Sequence, residues 1–206
     1  MTRSQGEAER LESLWAGSFG RAYVERNIRA GEGRDVFWNA LLKRLKPERC
    51  LEIGCNVGGN LRWIAPALGF DAVFAVDVNR EALKTLHEVL PGVNAVRAAG
   101  RDLPFRDRWF DLVFTAGVLI HQPEESLEAV MREAVRCSRK YVLCLEYFAE
   151  QTTEVPYRGE TGALFKRNYG QIYLDRFQEL KLADKGYLSK AEGWDDITWW
   201  LLERKS

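Results

Sequence analysis

The segment Arg49-Cys50-Leu51-Glu52-Ile53-Gly54-Cys55-Asn56-Val57-Gly58-Gly59-Asn60 constrains this chain more than any other. A short apolar run carries one acidic residue and breaks at a turn with glycines at 54, 58 and 59. The amphipathic stretch Leu61-Arg62-Trp63-Ile64 follows at once. The order reads as strand, tight loop, helix, the unit by which an α/β sheet turns backbone N–H groups toward a ligand at its carboxyl edge. Glycine suits such a loop because it takes positive φ and lets a ligand approach the backbone. Asn56 stands where a third glycine is expected, and Asn is among the few other residues that tolerate left-handed geometry.

The next apolar run, Ala72-Val73-Phe74-Ala75-Val76, ends at Asp77. Its distance from Gly54 is the twenty-odd residues at which a second strand carries an acid to a ribose. The loop lacks the G-x-G-x-x-G pattern, and no Lys-Ser or Lys-Thr follows the glycines, so a P-loop is excluded. A ribose ligand without phosphate ligands suits a nucleoside that carries no pyrophosphate.

With 206 residues the chain has room for one full core, or one core plus a small cap. Lys plus Arg and Asp plus Glu both number 30, so no net charge draws it to nucleic acid or to an anionic membrane. Neither is expected as a partner, and the oligomeric state is left open. Arg97, Arg101, Arg106 and Arg108 are interleaved with Asp102 and Asp107 and read as a solvated, internally paired loop. No apolar run reaches bilayer length, and the polar, acidic N-terminus is unlike a signal peptide, so the expected compartment is the cytoplasm. Cys50, Cys55, Cys137 and Cys144 form no C-x-x-C and have no nearby His, so buried free thiols and no metal site are expected.

Residues 8–46 carry helical spacing, broken at Gly31-Glu32-Gly33 and ended by Pro47. Strands are predicted near 49–54, 72–77, 93–98, 110–116 and 140–147, with helices near 58–68, 79–90 and 123–138. That alternation specifies an α/β fold with a parallel sheet and helices on both faces. Residues 151–167 read as a polar loop or lid, and a helix is predicted over 168–182. Strands near 186–191 and 196–203 are separated only by Gly193-Trp194-Asp195-Asp196, which permits a hairpin and forbids a parallel crossover. The last strand is therefore antiparallel. Two units are expected: a helical cap over 1–46 and a main unit over 47–206 with a lid insert at about 151–170.

Residues 47–205 resemble class I S-adenosylmethionine-dependent methyltransferases. Leu51-Glu52-Ile53-Gly54-Cys55-Asn56-Val57-Gly58 resembles the family's cofactor loop, and Val76-Asp77-Val78-Asn79 its ribose-binding corner. Asp102-Leu103-Pro104-Phe105 with Trp109-Phe110-Asp111-Leu112-Val113 resembles its adenine loop and fourth strand. Thr115 to His121 resembles the segment that leaves that strand under the methyl group. Trp15-Ala16-Gly17-Ser18-Phe19-Gly20, Tyr23, Arg26-Asn27 and the stretch Pro156 to Gly170 are similar to the methylases associated with pseudaminic acid biosynthesis. The resemblance implies a Rossmann-like, seven-stranded, mostly parallel sheet, S-adenosylmethionine as cofactor, and a small polar acceptor such as a sugar or nucleotide-sugar. A non-catalytic cofactor-binding protein and an RNA or protein methylase are the alternatives. Ala99 departs from the family, which often carries an acid there to meet the adenine amino group.

On this reading Gly54, Cys55, Asn56 and Gly58 shape the cofactor loop. Glu52 supports that loop or receives an ammonium, or else forms a strand-end salt bridge. Asp77, with Val78 beside it, grips the ribose, or else caps the helix starting near Asn79. Gly100 and Arg101 offer backbone groups to adenine, Thr115, Ala116 and Gly117 border the cofactor, and Tyr23 and Asn27 reach it from the cap. His121 is the candidate base for an acceptor hydroxyl, or else caps the next helix or packs against the cofactor. His87 is read as structural. Trp15, Phe19 and Tyr23 share a helical face that either packs the cap or forms a lid. With Trp15 and Phe19, residues Tyr147, Tyr157, Arg158, Lys166, Arg167 and Tyr169 are assigned to the acceptor, the basic ones suiting an anion or a merely solvated loop. Trp199 and Trp200 are read as core residues on opposite faces of their strand.

Overall fold

The computed structural model describes residues 3–27 and 31–205. Positions 1, 2, 28–30 and 206 of the two expected units lie outside the described residues. The strands are β1 (Cys50–Ile53), β2 (Val73–Asp77), β3 (Asn94–Arg97), β4 (Phe110–Ala116), β5 (Ser138–Glu146), β6 (Thr153–Glu154), β7 (Phe165–Lys166), β8 (Leu180–Leu188) and β9 (Ile197–Arg204). The helices are α1 (Arg3–Ala16), α2 (Ser18–Asn27), α3 (Asp35–Leu45), α4 (Leu61–Leu68), α5 (Arg80–Val89), α6 (Glu124–Cys137) and α7 (Tyr169–Arg176).

Seven strands form one sheet in the order β3-β2-β1-β4-β5-β9-β8. β1 pairs in parallel with both β2 and β4, and the chain reverses its direction of travel across the sheet between β1 and β4. That reversal opens a crevice at the carboxyl ends of these strands, where open α/β sheets bind ligands. β9 is antiparallel to both neighbours and sits between β5 and β8, so the last strand of the chain is inside the sheet.

The sheet divides the core. Trp38, Leu41 and Leu42 of α3, Ile64 of α4 and Leu86 of α5 pack against Val73, Ala75, Leu112 and Phe114 on one face. Leu127, Val130 and Met131 of α6 and Tyr173 of α7 pack against Ile53, Val113, Val142 and Leu202 on the other. Residues buried on both faces explain the continuous apolar runs of β4 and β5. All four cysteines are buried free thiols.

Three boundaries differ from the sequence expectation. The first helical segment breaks at Gly17 as well as at residues 31–34, giving three helices. The predicted helix over 168–182 ends at Arg176, and β8 begins at Leu180 rather than near 186. Leu180 and Leu182 pair with β9 along a register running from Leu180↔Arg204 to Leu188↔Ile197. That ladder overrides the helical preference of Gln178 to Ala183. The insert is a loop that also contains the short hairpin β6–β7. Of the tryptophan pair, Trp200 is buried over Gly170 and Trp199 is half-buried over Gly186.

Candidate active site

The crevice floor is the loop after β1. Gly54, Asn56 and Gly58 take φ of +73°, +47° and +81°, so Asn56 supplies the left-handed residue that its position requires. Gly54 and Cys55 donate backbone N–H groups to the Val76 carbonyl at 2.8 and 3.0 Å, seating the loop on the end of β2. Asp77 Oδ2 accepts the Asn56 amide at 2.8 Å and its Oδ1 accepts the Asn79 amide at 2.8 Å. The cap of α5 is Asn79, whose Oδ1 accepts from Glu81 and Ala82. Burial raises the Asp77 pKa, while hydrogen bonds from the Asn79 and Asn56 amides pull it back. The Val78 amide acts on the carboxylate in the same sense, and of its roughly four acceptor positions at least one stays open to a hydroxyl.

At one end of the crevice stands a buried relay. Arg34 Nη1 donates to Asn60 Oδ1 at 3.0 Å, and Asn60 Nδ2 donates to Glu52 Oε1 at 2.7 Å. Glu52 is 2% exposed and lines the crevice, and its Oε2 has no hydrogen-bond partner among the described residues. Burial pushes its carboxyl up to about 8, against the lowering effect of Asn60 and Arg34. The Arg34 guanidinium lies 4.2 Å from the Trp194 ring, and Asp195 lines the same end.

The opposite wall is the turn after β4. His121 is buried, and its Nδ1 lies 2.6 Å from the Ala163 carbonyl. A carbonyl only accepts, so Nδ1 carries the hydrogen and Nε2 is left as the ring's acceptor. Burial lowers the His121 pKa to about 4, which keeps the imidazole neutral near pH 7. The ring meets Trp15 at 4.5 Å and Tyr157 at 5.2 Å.

α1 and α2 cover the crevice. Arg101 and Glu12 form an ion pair from opposite sides, and Asn79 Nδ2 donates to the Trp15 carbonyl at 3.0 Å. A Cβ on Gly20 would lie 1.7 Å from the Trp15 carbonyl oxygen and 2.5 Å from Asn79 Nδ2, so only glycine permits this approach. The insert closes the rim through Arg10, which pairs with Glu160 and donates to the Thr161 carbonyl.

The crevice brings together Glu52, Gly54, Cys55, Asn56, Asp77, Val78, Gly100, Arg101, Ala116, Gly117, Tyr23, Asn27, His121, Trp15, Tyr147 and Tyr157. Other expected site residues lie outside its lining. Gly58 faces Leu86 and Leu90 of the α5 segment. Thr115 is buried in β4. Phe19 backs Trp15 edge-on at 5.2 Å, Arg158 is exposed, and Lys166 Nζ lies over the Tyr147 ring. Arg167 is 2% exposed and donates to the Gln122 carbonyl at 3.0 Å, while the Tyr169 hydroxyl donates to the Phe165 carbonyl at 3.0 Å. Arg167 thus holds the insert against the turn after β4, and Tyr169 ties the insert to itself. His87 is exposed on α5.

Sequence reasoning missed Arg34, Asn60, Trp194, Asp195 and the buried Glu146, and it named Asn79 without its cap and Trp15 bonds. Glu146 had a signal, since it closes the apolar run Tyr141–Leu145 as Glu52 interrupts its own. Arg34 and Asp195 had none, because only the fold brings them to β1.

Residues 50–140 match the family model described as a methyltransferase domain. Over 71 residues the chain is 35% identical to a probable phthiotriol/phenolphthiotriol dimycocerosates methyltransferase 2 of Mycobacterium ulcerans, covering 34% of this chain and 28% of that protein. The chain thus matches about a quarter of the length of the curated relatives. The methyltransferase fold extends much further. A Burkholderia thailandensis 1,6-didemethyltoxoflavin-N1-methyltransferase, solved with 1,6-didemethyltoxoflavin and S-adenosylhomocysteine, superposes with a TM-score of 0.76 over 100% of this chain and 92% of that one, at 14% identity. A magnesium protoporphyrin IX methyltransferase of Synechocystis PCC 6803, solved with S-adenosylhomocysteine, superposes at 0.69 over 96% and 99%, at 16% identity. The fold is that of the Rossmann-like methyltransferases. No helix among the described residues is long and apolar enough to cross a membrane, and no metal-binding cluster occurs among them.

Proposed function

We propose that this protein transfers a methyl group from S-adenosylmethionine to a small acceptor held between the turn after β4, α1 and the β6–β7 insert. The observation that carries the reading is the Asp77 carboxylate. It stands in the crevice at the chain-reversal point, fixed by two backbone amides, with acceptor capacity to spare. The other end of the crevice also suits the cofactor. Glu52 Oε2 is a buried carboxylate oxygen without a partner, which an ammonium would satisfy, and Arg34 is a cation for a carboxylate. Val78, Ala98, Gly100 and Val130 are apolar or small members of the same lining, which suits a purine ring. S-adenosylmethionine bound there supplies a methyl group already activated by its positive sulfur.

The chain then has two tasks. It holds the acceptor in line with the methyl group, an effect worth roughly 7–11 kcal/mol in favourable cases. It also removes the proton of an acceptor hydroxyl, for which the neutral His121, with Nε2 as its acceptor, is the candidate base. The acceptor wall is aromatic, formed by Trp15, Tyr147 and Tyr157. A sugar or nucleotide-sugar acceptor, and membership of the pseudaminic acid-associated methylases, is supported by two facing stretches. Trp15 and Phe19 from one meet His121 and Tyr157 of the crevice. Within the expected cap of residues 1–46, α1 and α2 serve as the cover and α3 as part of the core.

Calorimetric titration with S-adenosylmethionine and S-adenosylhomocysteine tests the cofactor site, and mass spectrometry of a metabolite extract incubated with the cofactor tests transfer. Micromolar binding and a methylated product are expected. No binding at millimolar cofactor defeats the proposal, and binding without any product favours a non-catalytic cofactor-binding protein.

A further inference from the structure

We propose that Glu146 is a positioning residue of this site, its carboxylate fixing the turn that carries both His121 and the wall over Gly54. The inference rests on the methyl-transfer reading of the crevice. Glu146 closes β5 and is fully buried. Its Oε1 accepts the amides of Val118 and Leu119 at 3.2 and 3.1 Å, and its Oε2 accepts that of Ile120 at 3.3 Å. These amides open a single tight turn, closed by His121 N–H to the Val118 carbonyl and Gln122 N–H to the Leu119 carbonyl, both at 3.0 Å. The first amides of any helical turn lack partners within it. Here one side chain from a different strand supplies all three.

Two consequences reach the chemistry. The His121 ring leaves this turn with Nδ1 bound to Ala163, so the turn sets where Nε2 stands. Val118, one residue into the turn, covers Gly54 so closely that an added Cβ would lie 2.4 Å from Val118 Cγ2. One carboxylate therefore registers the candidate base and the cofactor loop against each other. Stability alone is a poor reason for it, because a buried charge is seldom more stabilising than an apolar residue of the same shape. Only an ionised carboxylate offers two acceptor oxygens to three donors. A glutamine presents one acceptor and sets an NH₂ against the third amide.

Burial pushes the Glu146 carboxyl up to about 7, opposed by the Leu119 amide, the Thr115 side chain and the Val118 and Ile120 amides. The other titratable groups around it are Cys144 and Tyr147 from the β5 side and Tyr169 and Tyr173 from α7, each raised by burial and neutral near pH 7. His121 on the turn is neutral above about 4. Of this set, Glu146 is the group that changes charge between pH 5 and 8.

Nuclear magnetic resonance of the full-length, ¹⁵N-labelled protein tests the role without any acceptor. The chain has 2 histidines, so a His87→Gln variant assigns both rings. In the wild type the amides of Val118, Leu119 and Ile120 should follow one titration curve centred near pH 7, and the His121 ring should report the same curve while remaining in its Nδ1–H form. In Glu146→Gln the His121 ring should lose that single tautomer and its own titration should move upward toward 6.5. S-adenosylhomocysteine affinity should fall by roughly tenfold, as expected for one lost set of charge-assisted bonds. A folded Glu146→Gln protein whose His121 keeps its tautomer and titration overturns the inference. Should that variant not fold, the wild-type titration decides alone, and a ring that ignores the curve of the three amides overturns it. Wild-type protein that binds no S-adenosylhomocysteine defeats the methyl-transfer reading instead.

Discussion

Asn56 donates its backbone N–H to Asp77 Oδ2 at 2.8 Å, so the carboxylate proposed to hold a ribose also ties the β1 loop to the end of β2. On that proposal cofactor affinity and loop geometry are coupled through one side chain. Asp77→Asn keeps the shape but has one acceptor oxygen, and its NH₂ meets an amide donor at either Asn56 or Asn79. The expected result is a drop in S-adenosylhomocysteine affinity of roughly tenfold or more, equivalent to about 1.4 kcal/mol, with a lower Tm. Calorimetry and thermal denaturation check it. Affinity retained within threefold would remove Asp77 from the binding site.

The glycine at position 54 is required twice over. Its φ of +73° strains any L-residue, and a Cβ there would meet Val118. Gly54→Ala should cost about 1–2 kcal/mol from the backbone alone, with steric overlap added to it. The double variant Gly54→Ala/Val118→Ala should recover the steric part and leave the backbone part. A double-mutant cycle in Tm and cofactor affinity separates the two. Additive effects would show that Val118 and Gly54 do not meet in solution.

Asn79 combines two duties that a single substitution divides. Its Oδ1 caps α5, and its Nδ2 holds the Trp15 carbonyl at the end of α1. Asn79→Asp keeps the acceptor and even favours the helix N-terminus, but it turns a carboxylate toward a carbonyl. Hydrogen exchange should therefore quicken in α1 and α2 while α5 stays protected. Unchanged exchange in α1 would mean that the cover is held by other contacts, such as Glu12 with Arg101.

How far the sequence reads through to this site depends on distance along the chain. Gly54, Asn56 and Asp77 are legible because local backbone geometry and a fixed strand-to-strand spacing dictate them. The parallel strands are legible because burial on both faces leaves apolar runs such as Leu112–Phe114. β8 is not, because Gln178 to Ala183 favour a helix and become a strand only against β9. The polar relay is illegible for the same reason: Arg34 and Asn60 meet Glu52 only once α3 and α4 are packed on the sheet. The basic residues of the insert show the converse. Arg167 has the composition of an anion ligand, yet it is buried, with its guanidinium on the Gln122 carbonyl and 3.8 Å from Glu124.

The Glu52 carboxylate gives the protein a pH dependence of stability whose direction follows from burial. Its folded pKa is raised from 4.5 to about 8, so between those values the folded state holds a proton that the unfolded state has lost. Stability associated with this group is therefore full at acid pH and is lost as pH rises toward 8. Glu146, raised from 4.5 to about 7, acts in the same sense. His121 acts in the opposite sense: its pKa is lowered from 6.5 to about 4, so its contribution is present above 6.5 and lost as pH falls through that window. Above pH 6.5 the carboxylates alone remain, and Tm should decline up to pH 8, with a slope of at most about 1.4 kcal/mol per pH unit for each proton. Glu52→Gln, neutral at every pH and still able to accept from Asn60, should flatten that decline, leaving the smaller one that Glu146 contributes. Thermal melts of both proteins in a pH series check it, and parallel curves between pH 7 and 8 would show that Glu52 is ionised throughout.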